Sequence, residues 1–280
     1  MIIDSHIHTD IGKVDRQLVA ERMRKANIGG GAVFSIVPKA HSLPSHGLSS
    51  DDRMKNVLEW CEGNDTLYPF YFLDPLEQDA CEQVDEAVKQ GIDGFKIILR
   101  SCFAYDEPVI KVCERIASHS KPVLFHSGIL YLHGPTSRFN RPADFEALML
   151  IEGLRIAMAH ISWPWTDEMV AVYGKVDDTR QRYPGSPLAE LFVDLTPGTP
   201  ECYRYDAIYK LLSSNMDVKK NIIYGIDTVV NDYDVDMARG YIDMDNKIFD
   251  RLGLDFETRE DIFQNNFYRF LGKSAADREV

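Results

Sequence analysis

Five residues in this sequence can do metal chemistry, and each closes an apolar run. His6 and His8 end IIDSHIH at 2–8, His126 ends PVLFH, His160 ends IAMAH and Asp227 ends IIYGID. Imidazole nitrogens and a carboxylate oxygen are the donors that zinc and similar divalent ions prefer. Ile2, Ile3 and Ile7 give the first run strand character. Alternate side chains of a strand share a face, so His6 and His8 point the same way. The same rule sets Asp4 beneath them and Ile3, Ser5 and Ile7 opposite. Taken singly, His126 or His160 reads equally well as a hydrogen-bonded core histidine. As a set at comparable positions, the five point to a metal.

Repeating strand–helix units must position them. Apolar, β-branched runs predict strands at 1–8, 32–37, 66–73, 94–99, 122–128, 155–162, 191–196 and 222–227. Helical stripes lie between. Residues 14–28 form one, closed by Gly29 to Gly31, and Met54, Val57, Leu58 and Cys61 mark another over 51–64. Further helices are expected over 77–90, from Asp106 through Ile116, around Phe145 to Met149, from a Thr166 cap, and over 206–215 and 236–252. The last, over 259–271, opens with a capping-box-like Thr258 to Asp261. Eight strands alternating with helices predict an α/β fold, a (β/α)8 TIM barrel forming a single domain over 1–280. An open doubly wound sheet is the rival, but GxGxxG and P-loop motifs are missing. In a TIM barrel the site lies at the carboxyl ends of the strands, where the five residues sit.

Acidic residues outnumber basic ones 44 to 31, and the formal charge of −13 disfavours nucleic acid and anionic membranes as partners. The five cysteines are odd in number and form no CxxC pair, which suits free thiols in a reducing compartment. No signal peptide precedes the first strand and no apolar run is long enough to span a bilayer. A cytoplasmic protein acting on a small-molecule substrate is expected, and the sequence is compatible with a homo-oligomer.

The ordered segments IIDSHIH (2–8), GIDGFKI (91–97), PVLFHSG (122–128), FNRPADFEAL (139–148), IAMAHIS (156–162), FVDLT (192–196), YGID (224–227) and NNFYRFLG (265–272) resemble the amidohydrolase superfamily. The resemblance is strongest to its amidohydrolase-related branch, amidohydrolase 2, of metal-dependent TIM-barrel hydrolases. It implies a divalent metal ion, with zinc expected, held by His6, His8, His126 and Asp227. Asp227 would also handle a proton. His160 corresponds to the strand-six histidine, a second-metal ligand in two-metal relatives and a water- or substrate-activating group in one-metal relatives. The implied reaction is hydrolysis of an amide, lactone or ester by metal-activated water. Relatives that decarboxylate aromatic or unsaturated acids with the same ligands keep a lyase reading open. Thr228-Val229-Val230 and Ile161-Ser162 depart from the pattern beside the site, and bear on the substrate rather than on the metal.

Lys96 stands where two-metal relatives carry a lysine carbamate bridging the metals. An unmodified lysine paired with an internal acid or the substrate explains it as well, so one metal per chain is expected. His41, His46 and His133 fall in loops after strands two and five, where a solvated side chain is the simpler reading. Arg100, Arg138, Arg141, Trp163 and Trp165 are positioned to line the mouth, where an arginine would pair with a substrate carboxylate. His119 follows a helix stripe and reads as a surface residue.

Overall fold

The computed structural model describes residues 1–39 and 47–273. In chain order the elements are β1 Ile2–His8, α1 Arg16–Lys25, β2 Ile28–Phe34, α2 Ser50–Cys61, β3 Leu67–Phe72, α3 Ala80–Lys89, β4 Gly94–Ile97, α4 Glu107–Ser118 and β5 Pro122–Phe125. After a 3-10 run, Pro142–Leu150, come β6 Arg155–Met158, α5 Thr166–Arg182, β7 Glu190–Asp194, α6 Glu201–Leu212, β8 Ile222–Ile223, β9 Thr228–Val229, α7 Val235–Leu252, α8 Phe256–Glu260 and α9 Asn266–Leu271.

Every strand pairs in parallel with its sequence neighbour from β1 through β8, and β9 returns to pair with β1. β8 and β9 are two ends of one broken eighth strand. Its middle also reaches β1, because Ser5 donates its backbone N–H to the Tyr224 carbonyl at 2.8 Å. The result is a (β/α)8 barrel, as the alternation of runs predicts.

Strand residues alternate between two packing layers. Ile3, Phe34, Phe70, Leu124, Ala157, Phe192 and Ile223 pack together inside the barrel. Val33, Tyr71, Phe95, Val123, Ile156 and Leu191 pack outward with residues of the helices. The amino-terminal end of the barrel is plugged by α9, whose Phe270 ring lies 5.2 Å from Phe192 and 6.3 Å from Phe70. Removing one such buried aromatic typically costs about 3–5 kcal/mol.

Four local expectations change. β2 begins at Ile28 and runs through Gly29 to Gly31, the residues expected to stop a helix. Here glycine serves close strand packing: a Cβ on Gly30 would lie 2.3 Å from the Thr66 carbonyl oxygen, and one on Gly31 would lie 2.1 Å from that of Asp4. The register of β1 against β2 shifts between Asp4 and Ile7, so simple alternation fails there. Ile3 faces the barrel interior while Ile7 packs outward. Asp4 turns away from the histidines to accept from Tyr233 Oη at 2.9 Å. β6 stops at Met158, four residues short of the expected end, because the chain turns sharply at His160. Finally, Asp255 caps α8, so Thr258 is a residue of that helix and not its cap, and Thr166 opens α5 with no side-chain cap before it.

Candidate metal centre and its cavity

β1 delivers His6 and His8 to the carboxyl end of the barrel, and the break in the eighth strand delivers Asp227 beside them. Nε2 of His6 lies 3.6 Å and Nε2 of His8 lies 3.4 Å from the same oxygen, Asp227 Oδ1. One donor atom from each of the three lies within 4.8 Å of the others. Gly225 allows this approach, since a Cβ there would meet Ser5 Oγ at 2.8 Å and His6 Cβ at 3.0 Å.

The other nitrogen of His6 is held from behind. Nδ1 donates to Asp194 Oδ2 at 3.0 Å, with the Thr196 hydroxyl 3.3 Å away. Asp194 is wholly buried at the end of β7, and its Oδ1 accepts from the Thr196 backbone N–H at 2.8 Å and from Ser5 Oγ at 3.4 Å. A proton fixed on Nδ1 leaves the Nε2 lone pair facing Asp227, the arrangement a metal-binding imidazole needs. Burial, reinforced by Lys96, holds His6 well below its ordinary pKa, so the ring is neutral.

Further back, Arg204 links α6 to α7 through two 2.6 Å bonds to Asp245, and the same guanidinium donates to the Leu195 carbonyl at 2.7 Å. That buried pair fixes the strand end that carries Asp194. On the other side of β1, Asp4 Oδ1 accepts from the backbone N–H of His6 at 3.0 Å and of Ile226 at 2.8 Å. One carboxylate oxygen thus ties together the two backbone segments that bear His6 and Asp227.

Asp227 opens into the cavity, with 35% of its side chain exposed, rather than lying sealed in the core. Burial resists its ionisation. The His6 ring, when protonated, and a hydrogen bond from His8 outweigh that effect and hold the carboxyl well below the usual range. Lys96 is buried on β4 and donates from Nζ to His6 Nε2 at 3.2 Å, with the ammonium 5.1 Å from the Phe34 ring. Burial pulls it down to about 8 against the opposing pull of Asp227 and Asp194.

His126 and His160 complete the ring of imidazoles. Their ring centroids are 5.0 Å apart, and His160 lies 5.4 Å from His6. Nε2 of His126 donates to the Ile129 carbonyl at 3.0 Å, which leaves Nδ1 as its free ring nitrogen. His126 is therefore at the mouth but outside the three-residue cluster. Burial keeps both rings below the ordinary histidine pKa, His126 well below.

His160, Ile161 and Ser162 have φ values of 62°, 47° and 55°, and Asp227 has 60°. Each left-handed non-glycine residue costs about 1–3 kcal/mol and persists only where its surroundings enforce it. Around His160 the enforcement is visible. Thr199 Oγ1 donates to the His160 carbonyl at 2.9 Å, and Ser162 and Ser127 share a 2.7 Å hydroxyl bond. Gly198 closes on the ring itself, since a Cβ there would lie 2.6 Å from two of its atoms.

A cavity of about 570 Å³ opens above these residues. His6, His8, Lys96, His126, His160 and Asp227 line its floor, while Ile11, Ile36, Ile98, Leu130, Leu132 and Trp163 contribute to its walls. The expected arginines do not reach it. Arg141 pairs with Glu168 and lies over the Trp165 ring, and Arg138 lies over Phe139. Arg100 and Trp165 are also outside the lining; of the five expected residues only Trp163 contributes. His133 is exposed, His119 pairs with Asp85 at 2.7 Å on the surface, and His41 and His46 lie outside the described residues. All five cysteines are free. No described helix is long and apolar enough to cross a membrane.

No family model and no curated protein matches the sequence. Solved structures do. An amidohydrolase II structure matches at a TM-score of 0.67 and 15% identity, over 98% of this chain and 100% of that one. The fold is a TIM barrel, the architecture shared with that structure. A TIM-barrel protein from Bordetella bronchiseptica matches at 0.67 and 17%, covering 97% and 98%. The 5-carboxyvanillate decarboxylase of Novosphingobium aromaticivorans, complexed with manganese, matches at 0.62 and 13%, covering 94% of this chain and 80% of that one. At these identities the similarity is one of architecture, shared by hydrolase and decarboxylase alike.

Asp194, behind His6, is the residue of this candidate site that the sequence alone did not single out. Its signal was present: an acid inside the apolar run LFVDLT, comparable to the acid that ends IIYGID.

Proposed function

We propose that this protein is a metal-dependent hydrolase of the amidohydrolase superfamily, acting on a small-molecule amide, lactone or ester. A single zinc ion would be held by His6, His8, His126 and Asp227. The observation that carries this reading is the convergence of two Nε2 atoms on Asp227 Oδ1, with Asp194 fixing the tautomer of His6. The donor set suits zinc, because two or three neutral imidazoles and one carboxylate form a familiar nitrogen/oxygen site with room left for water. When bound, a divalent ion supplies water acidified to a pKa of about 7 and polarises a carbonyl.

The residues of the chain do the rest. Asp227 is ionised and open to the cavity, so it can accept a proton from water and return it to a leaving group. His160, held in its strained turn, is oriented to donate to negative charge developing on the substrate oxygen. Lys96 offsets part of the Asp227 charge and remains an unmodified lysine.

Decarboxylation is the second reading, kept open because a manganese-bound decarboxylase shares the fold. In that case the same residues would grip a carboxylate and an adjacent oxygen of the substrate. Two measurements test the proposal. Elemental analysis of wild type and of the His6→Ala, His8→Ala double variant should find about one equivalent of metal in the first and little in the second; equal metal in both would refute the site. A panel of lactones, esters, amides and aromatic acids should give ring opening or cleavage, and carbon dioxide release without hydrolysis would transfer the reading to the lyase.

A further inference from the structure

The walls of the cavity differ in chemistry from its floor. Beyond the floor the lining is mostly hydrocarbon, from Ile11, Ile36, Ile98, Leu130, Leu132 and Trp163. The polar exceptions include the exposed Tyr131 and Asp10, a carboxylate held by Gly12 N–H and Asn231 Nδ2, which would itself repel a second substrate carboxylate. Among the described residues no arginine lines the space, and the one ammonium, Lys96, is buried against His6 and Phe34. A second carboxylate on a substrate would therefore meet these side chains without a cation to pair with, and would lose its hydration uncompensated. An alkyl or aryl group would gain from the same contact. The volume, about 570 Å³, suits a ring bearing a short chain.

We infer that the cavity selects carbonyl compounds whose non-reacting part is an uncharged alkyl or aryl group, and rejects polycarboxylates. This rests on the hydrolase reading for the reacting end alone; the selectivity belongs to the walls. Leu130, buried at the rim of the β5 loop, and its half-buried neighbour Leu132 are the specificity-determining residues.

The test uses zinc-loaded protein and two probes with the same chelating head, 4-butylbenzohydroxamate and 4-carboxybenzohydroxamate, titrated by calorimetry. The butyl compound should bind at least tenfold more tightly. Leu130→Arg should shift the ratio at least fivefold toward the carboxylate, and Leu132→Arg should do the same if the first variant fails to fold. Equal binding, or tighter binding of the carboxylate by wild type, would overturn the inference. A metal-free arm separates it from the hydrolase reading: 4-butylbenzyl alcohol and 4-carboxybenzyl alcohol are titrated into chelator-treated protein by tryptophan fluorescence. Preference for the butyl alcohol with no binding of either hydroxamate would refute the metal site and support the walls. Failure of the alcohol pair to discriminate would refute the walls.

Discussion

Asp194→Asn isolates the residue behind His6. Asparagine is nearly isosteric with aspartate, so packing at this fully buried position is preserved. Its orientation is not free. The Thr196 backbone N–H, 2.8 Å from Oδ1, demands an acceptor there. The amide oxygen must take that place, because the reversed amide would set two donors against each other at a cost of about 1–3 kcal/mol. The NH₂ group then occupies the position of Oδ2, 3.0 Å from His6 Nδ1. It can only donate, so Nδ1 must become the acceptor and the ring proton moves to Nε2, the nitrogen facing Asp227. A protonated Nε2 cannot ligate. Loss of such a partner behind a metal-binding histidine typically weakens affinity 10–100-fold, about 1.4–2.7 kcal/mol. Competition titration of zinc against a chromophoric chelator reads the change, and thermal unfolding of the chelator-treated protein checks that the fold survives. Zinc affinity within twofold of wild type, in a variant that melts normally, would refute the tautomer argument.

Asp227→Asn should retain most of the metal through the imidazoles and lose about 10²–10⁴-fold in kcat; near-wild-type kcat in the loaded variant would leave His160 as the proton carrier. Gly198→Ala should push the His160 ring from its position, because the added Cβ would lie 2.6 Å from it and φ is +152°; a fall in stability of about 1–3 kcal/mol together with reduced kcat is expected, and unchanged values of both would disprove the contact. Burial raises Asp4 from 3.8 to about 7, against the pull of the Ile226 and His6 N–H groups. A raised acid pKa means that the folded state holds its proton more tightly, so this group contributes no penalty below pH 4 and a growing one from about pH 4 to 7. The difference corresponds to roughly 4 kcal/mol at most. Metal-free wild type should therefore lose stability over that window, and Asp4→Asn should lose less; parallel stability–pH curves would exclude Asp4 as the cause.

The barrel was legible because its strands are apolar, β-branched runs separated by helical stripes and breakers, a signal that tertiary packing reinforces. The meeting of His6, His8 and Asp227 followed once those runs were ordered around a closed sheet. Three features were not legible, for different physical reasons. Gly29 to Gly31 read as a helix stop, but inside a sheet glycine also permits a close carbonyl approach, and only the neighbouring strands distinguish the two. Ile161 is β-branched and reads as strand, yet it adopts a left-handed φ because Thr199, Ser127 and the residues around them hold the turn. The arginines near the mouth were assigned by loop position alone, and their direction depends on partners distant in sequence, such as Glu168 for Arg141.

The closure of the barrel through β9 sets the order in which the molecule can become whole. β1 leaves the ribosome well before the broken eighth strand that covers one of its edges, and Asp4 finds Ile226 across a separation of 222 residues. At about 5–20 residues per second, that edge waits on the order of tens of seconds during synthesis. Meanwhile an apolar strand offers unpaired N–H and C=O groups to any passing chain. A nascent chain stalled before Ile226 therefore carries the two histidines of β1 without their carboxylate partner, on a strand exposed to misassembly, and the plug formed by α9 comes later still.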